Sequence, residues 1–162
     1  KIFGHWEMDC VVGCSLPTLL VLSERKTRKE IIIRIPDKTT KSVVHALNTL
    51  EKNYGKRFSK IFRSITVDNG VEFSDCSGME ESIFGGTRTM LYYCHPYTSC
   101  ERGTNERLNR DIRKIFPKGT DFAKVTDKQV KRCEDWVNHY PREIFDFGNS
   151  AERFEEELAK IA

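Results

Sequence analysis

A chain of 162 residues with 38% hydrophobic content can bury one core and is short for two, so a single domain over 1–162 is expected. Its formal net charge of +3 is too mild to mark a nucleic-acid partner by itself. No apolar run approaches a membrane span or a signal peptide, which excludes a membrane role and leads us to expect a soluble cytoplasmic protein.

The first half reads as a three-stranded antiparallel meander over about Phe3 to Val12, Thr18 to Leu22 and Glu30 to Ile35. The charged turn Glu24-Arg25-Lys26-Thr27-Arg28 joins the last two runs into a hairpin. A helix is predicted from Thr39 or Thr40, with Val43, Leu47, Leu50 and Tyr54 at helical spacing and Gly55 as its stop. Ile61 to Asp68 forms a fourth strand, with Ile61, Ile65 and Val67 on one face and Phe62, Ser64, Thr66 and Asp68 on the other. A short helix over Gly78 to Phe84 and a fifth strand over Thr89 to Cys94 follow, the strand ending at His95-Pro96-Tyr97.

A long helix runs from about Gly103 to Phe116 and is closed by Pro117 and Gly119. Thr126 and Gln129 form a capping box for the next helix, whose inner face is Val130, Cys133, Val137 and Tyr140. A last helix follows Ser150, with Phe154, Leu158 and Ile161 inward. Three antiparallel strands followed by alternating helices and strands is an α/β order, that of the ribonuclease H-like fold with a mixed five-stranded sheet flanked by helices.

The six cysteines lack paired CxxC spacing, and Cys94, His95 and Cys100 would need an unidentified fourth ligand to hold zinc. Reduced thiols are expected. Charge is segregated instead: bases outnumber acids from Arg102 to Lys118, whereas Glu152, Glu155, Glu156 and Glu157 make the C-terminal stretch acidic.

Asp9 lies within the most apolar part of the first strand, where a bare charge is expensive. Asp68 is the polar tip of an apolar strand, where parallel α/β sheets place ligand-binding residues, although Asn69-Gly70 also suits an ordinary turn. Glu106 falls opposite Leu108, Ile112 and Ile115 on the helical wheel and shares its side with Arg102, Asn109, Arg110 and Arg113. Each acid alone has a bland reading as a surface or strand-end carboxylate paired with a base.

Together they carry a resemblance. Gly4-His5-Trp6-Glu7-Met8-Asp9, Glu24-Arg25-Lys26-Thr27-Arg28, Val67-Asp68-Asn69-Gly70 with Glu72-Phe73, Arg102-Gly103-Thr104-Asn105-Glu106 and Phe116-Pro117-Lys118-Gly119-Thr120 resemble, in order, the insertion-sequence-thirty family of bacterial transposases. The resemblance runs from Lys1 to about Asn138. It implies a DDE integrase-type catalytic core, with Asp9, Asp68 and Glu106 as catalytic and metal-holding residues for Mg²⁺ or Mn²⁺, two ions in all. Such ions, about 3.5–4 Å apart, activate a nucleophile and stabilise the leaving oxygen in strand cleavage and transfer.

Arg102, Asn105, Asn109, Arg110, Arg113, Lys114 and Lys118 are the candidate DNA contacts, aimed at phosphates. The expected partners are transposon-end and target DNA and, when active, further copies of the chain, at the nucleoid of a bacterium. An N-terminal DNA-recognition region is expected in a longer polypeptide. Departures lie at Cys100, Glu143 and Ser150, so DNA contact by the C-terminal region is not carried over. A ribonuclease H-like nuclease that does not join strands and a DNA-binding or assembly module with a decayed site are the competing readings.

Overall fold

The computed structural model describes residues 1–95 and 103–161. Strands β1 (His5–Val12), β2 (Thr18–Glu24), β3 (Glu30–Ile35), β4 (Ser64–Val67) and β5 (Met90–Tyr93) form one sheet in the order β3-β2-β1-β4-β5. The meander pairs antiparallel, whereas β4 runs parallel to β1, and β5 parallel to β4. Helices α1 (Thr40–Tyr54), α2 (Phe58–Ile61), α3 (Cys76–Glu80), α4 (Gly103–Ile115), α5 (Asp127–His139) and α6 (Ser150–Ala159) complete the order.

Strand alternation sorts the apolar residues into two cores, one on each face of the sheet. Trp6, Met8, Leu20, Leu22, Ile65 and Val67 join Val43, Leu47 and Leu50 of α1 and Phe154 of α6 on one face. Val11, Leu19, Val21 and Ile32 join Ile112 of α4 and Val130, Cys133 and Val137 of α5 on the other. β2 is buried along its whole length because both faces are covered.

Helix α5 is fastened to β3 by side chains as well as by apolar contact. Asn138 accepts from Glu30 N–H at 2.8 Å and donates to Glu30 C=O at 2.9 Å, and Glu134 accepts from Ile32 N–H at 2.8 Å. The capping box of Thr126 and Gln129 opens this helix as expected.

Five expectations change. The fourth strand starts at Ser64, because Phe58–Ile61 coils into a helical turn whose Ile61 carbonyl accepts from Trp6 Nε1 at 2.8 Å. Phe62 then stacks on Trp6 and Phe58, at 4.5 and 4.3 Å between centroids, so it joins Ile61 in one core rather than facing away. The short helix is Cys76–Glu80, earlier than predicted, with the Asp75 side chain accepting from Gly78 N–H. Tyr140 lies beyond the end of α5 in extended backbone before Pro141 and is exposed, beside Trp136 rather than inside. Ile115 is likewise largely exposed at the end of α4.

Candidate active site

Parallel pairing sets the site. His5, Trp6 and Glu7 stand opposite Ser64, Ile65 and Thr66, so two residues further on Asp9 is level with Asp68, the first residue past β4. Trp6 and Ile65 both enter the core under α1, which leaves Glu7, Asp9, Thr66 and Asp68 on the face that α4 covers. Neighbouring strands bring such residues to roughly 5 Å at Cα. Both aspartates are half-buried.

Local donors orient these carboxylates. Asp9 Oδ1 accepts from Cys10 N–H at 2.9 Å, and Asp68 Oδ1 accepts from Gly70 N–H at 2.9 Å. Asn109 Nδ2 of α4 donates to Asp9 Oδ2 at 3.2 Å.

The same helix is laid along β1 one turn at a time. Asn105 N–H donates to Glu7 Oε2 at 2.9 Å, Ser23 Oγ donates to Asn105 Oδ1 at 3.3 Å, and Arg113 Nη2 donates to Val12 C=O at 2.8 Å. Glu7 is buried, with Arg25 Nε 3.3 Å from its other oxygen.

Glu106 is exposed, three positions before Asn109 and hence about 60° from it round the helix, on the flank that carries Asn109 and Arg113. Among the described residues no three His, Cys, Asp or Glu side chains stand close enough together to hold a metal ion. The donor set is nevertheless of the kind hard divalent cations take: two level carboxylates, with the buried Oδ1 of Asn109 lacking a hydrogen-bond partner among the described residues.

A second carboxylate pair adjoins the first. Glu72, in the single turn Val71–Phe73, is buried with Lys38 Nζ 3.1 Å from its Oε1. A Cβ at position 70 would lie 2.5 Å from Glu72 Oε2 and 2.9 Å from Asp68 Oδ1, so Gly70 is the residue over which both acids fold. Burial, and after it the charges of Glu72 and Asp9, push the Cys10 thiol up to about 12. The hydrogen bond and charge of Glu72, with Cys10 and Asp68 beyond, hold the Lys38 ammonium above its usual range.

Glu7, Lys38, Glu72 and the orienting role of Asn109 were not found from the sequence. Period two from Asp9 back to Glu7 was the available signal for the first, and the quoted Asp68 to Phe73 segment for Glu72.

Of the candidate DNA contacts, Arg110 and Lys118 are exposed and available, and Arg102 lies outside the described residues, as do Pro96, Tyr97 and Cys100. Asn105 is a correction: wholly buried between Glu7 and Ser23, it ties helix to sheet and cannot reach DNA. Asn109 is half-buried against Asp9, and Arg113 is held to Val12. Lys114 pairs with Asp111 at 2.8 Å and lies over the rings of Trp136 and Tyr140.

No family model matches the chain. The transposase for insertion sequence element IS4351 of Bacteroides fragilis is 33% identical over 159 residues, covering 95% of this chain and 45% of that protein. The transposase InsI of element IS30A of Escherichia coli (strain K12) is 33% identical over 159 residues, covering 98% of this chain and 40% of that protein. The chain therefore spans less than half the length of these relatives. Among solved structures, the catalytic core domain of BIV integrase superposes with a TM-score of 0.67 at 16% identity, covering 97% of each chain. At that identity the likeness shows the fold, which is the ribonuclease H-like α/β arrangement expected from the sequence.

Proposed function

Because this chain belongs to the IS30 family of transposases, matched over less than half the length of its relatives, we propose that it is the catalytic segment of such an enzyme, cutting DNA strands and joining their ends. The observation that supports this reading is the parallel β1–β4 register, by which Asp9 falls level with Asp68, the first residue past β4, with α4 and its Glu106 laid along β1. The domain acts as one unit over 1–162, and recognition of the element's ends belongs to another part of the polypeptide. Its partners are DNA and other copies of the chain, in the bacterial cytoplasm at the nucleoid. No helix of the described residues is long and apolar enough to cross a membrane.

The residues divide the work. Asp9, Asp68 and Glu106 would hold Mg²⁺ or Mn²⁺, two ions in all. Asn109 holds Asp9 Oδ2 so that the carboxylate presents one orientation. When bound, the ions supply Lewis-acid stabilisation and an activated water or 3′-hydroxyl. Arg110 and Lys118, exposed on and beyond α4, meet phosphates and position the duplex.

The test is Glu106→Gln in the full-length polypeptide, with labelled inverted-repeat DNA and Mg²⁺ or Mn²⁺. Cleavage and joining should fall by several orders of magnitude, while melting temperature and DNA affinity hold, because an exposed side chain keeps its shape and loses only its charge. A fully active Glu106→Gln protein overturns the assignment.

A further inference from the structure

On the other flank of α4 a second basic surface is built, and the aspartate pair does not use it. An open cleft of about 860 Å³ lies between the turn after β2, the exposed side of α4 and the segment following α5. Seven bases line it against three acids. Arg25 and Arg28 come from the turn, Arg107 and Arg110 from the helix, and Arg142 from the later segment. Arg107 is about 160° round the helix from Asn109, so this cleft and the aspartates face different ways.

Its acids are largely committed. Glu7 has Arg25 at 3.3 Å, and Asp111 is shared between Lys114 at 2.8 Å and Arg142 at 3.6 Å. Burial lowers the affinity of the Arg28 guanidinium for its proton, the charges of Glu7 and Glu24 oppose this, and those of Arg107 and Arg142 lower it further, so Arg28 lies within reach of both other cations. A concave wall of one sign of charge draws in an extended anion.

The far wall is aromatic and wet. Tyr140 and Phe147 line the cleft at 45% and 72% exposure. Phe147 reaches that position through a left-handed backbone, φ 66°, directly after Asp146 at φ 51°. Two consecutive non-glycine residues in that region are costly, and such strain persists where surrounding contacts impose it. Here Phe147 N–H donates to Arg142 C=O at 3.0 Å, which ties the presented ring to the arginine beside it. Cations that track a backbone, with exposed rings beside them, make up the surface that binds unpaired nucleic acid.

We propose that this cleft holds a single-stranded stretch of DNA, its phosphates on Arg28 and Arg107 and its bases against Tyr140 and Phe147. The inference rests on the reading of the chain as a DNA strand-transfer enzyme and adds a second path for one strand.

Binding of fluorescent 15-nucleotide oligo(dT) and of a 15-base-pair duplex, measured by anisotropy across a KCl series, tests it. The chain should prefer the single strand. Arg28→Ala with Arg107→Ala should reduce the slope of log affinity against log salt for oligo(dT) by about 1.4, at roughly 0.7 per phosphate released. Tyr140→Ala with Phe147→Ala should lower oligo(dT) affinity about tenfold or more and leave the slope alone. The pair Arg28→Lys and Arg107→Lys and the single Phe147→Trp keep charge and ring, and should retain binding if the alanine variants lost it through the cleft rather than through misfolding.

An unchanged slope in the folded arginine variant overturns the proposal, as does displacement of oligo(dT) by low inorganic phosphate at constant ionic strength, which would mark a compact anion pocket. Glu106→Gln separates the two readings. Cleavage surviving there with the slope still lost in the arginine variant sinks the catalytic reading and keeps the cleft; the reverse result sinks the cleft alone.

Discussion

Two polar centres of this protein, one beneath α1 and α3 and the other beside α4, differ in how deeply they bury charge. Arg88 is fully buried and donates to the carbonyls of Met79 and Gly78 at 2.7 Å each, to Asn48 Oδ1 at 2.6 Å and to Glu51 Oε2 at 3.2 Å. Glu51 in turn accepts from Ser82 Oγ at 2.5 Å and Ile83 N–H at 3.1 Å. That centre contains its own counter-charge and closes on itself. Asp9 and Asp68, by contrast, are half-buried and take donors from Cys10 N–H, Asn109 Nδ2 and Gly70 N–H. The difference separates a buried group that fastens a loop to a helix from a half-buried pair set by strand register.

The closed centre should be the costlier to disturb. Arg88→Ala leaves Glu51 charged and buried, and a loss of about 3–5 kcal/mol is expected in urea unfolding. A loss below about 1 kcal/mol would show that the cluster is ornamental, and the contrast would fail.

An intermediate case is Glu30, wholly buried at the start of β3, with both carboxyl oxygens lacking a hydrogen-bond partner among the described residues. Burial pushes its carboxyl up to about 8, with Arg142 opposing and Asp111 and Glu134 adding to the rise. An acid raised in the folded state keeps its proton while the unfolded chain has already lost it, so stability is whole below the ordinary value of 4.5 and falls as pH climbs towards about 8. Between pH 5 and pH 7 the fall should be roughly 2–3 kcal/mol, at about 1.4 kcal/mol per unit, and Glu30→Gln should flatten the curve. An identical pH profile in the variant would remove Glu30 from the account.

The smallest effect on stability is expected at the aspartate pair. Asp68→Asn removes one of two like charges on adjacent strands, so unfolding free energy should change by less than about 1 kcal/mol, upward if at all, while strand cleavage is lost. A large destabilisation there would make Asp68 a structural acid like Glu51.

Much of the frame was legible in the sequence because it depends on short-range patterns. β3 has the bounds that its β-branched run predicts, α1 ends at Gly55, and the Thr126 and Gln129 pair caps α5. What escaped depends on chain segments far apart in sequence. Glu7 meets Asn105 across 98 positions, and Arg88 sits after Gly85-Gly86-Thr87, where no periodicity marks a core residue. Ile61 and Phe62 were misassigned because a short apolar run fits strand and helix alike. The aspartates were chosen by resemblance, and their level placement follows from the β1–β4 register, which no local pattern encodes.

The fastening of α5 to β3 also closes part of an open edge of the sheet. Glu30-Ile31-Ile32-Ile33-Arg34-Ile35 is an apolar, β-branched edge strand, the kind of segment that recruits a foreign strand and seeds aggregation. Asn138 and Glu134 already occupy the amides of Glu30 and Ile32, and Asn138 the carbonyl of Glu30, so an incoming strand finds this ladder taken. Growth of the sheet through this edge is thereby opposed at two of its outward amides.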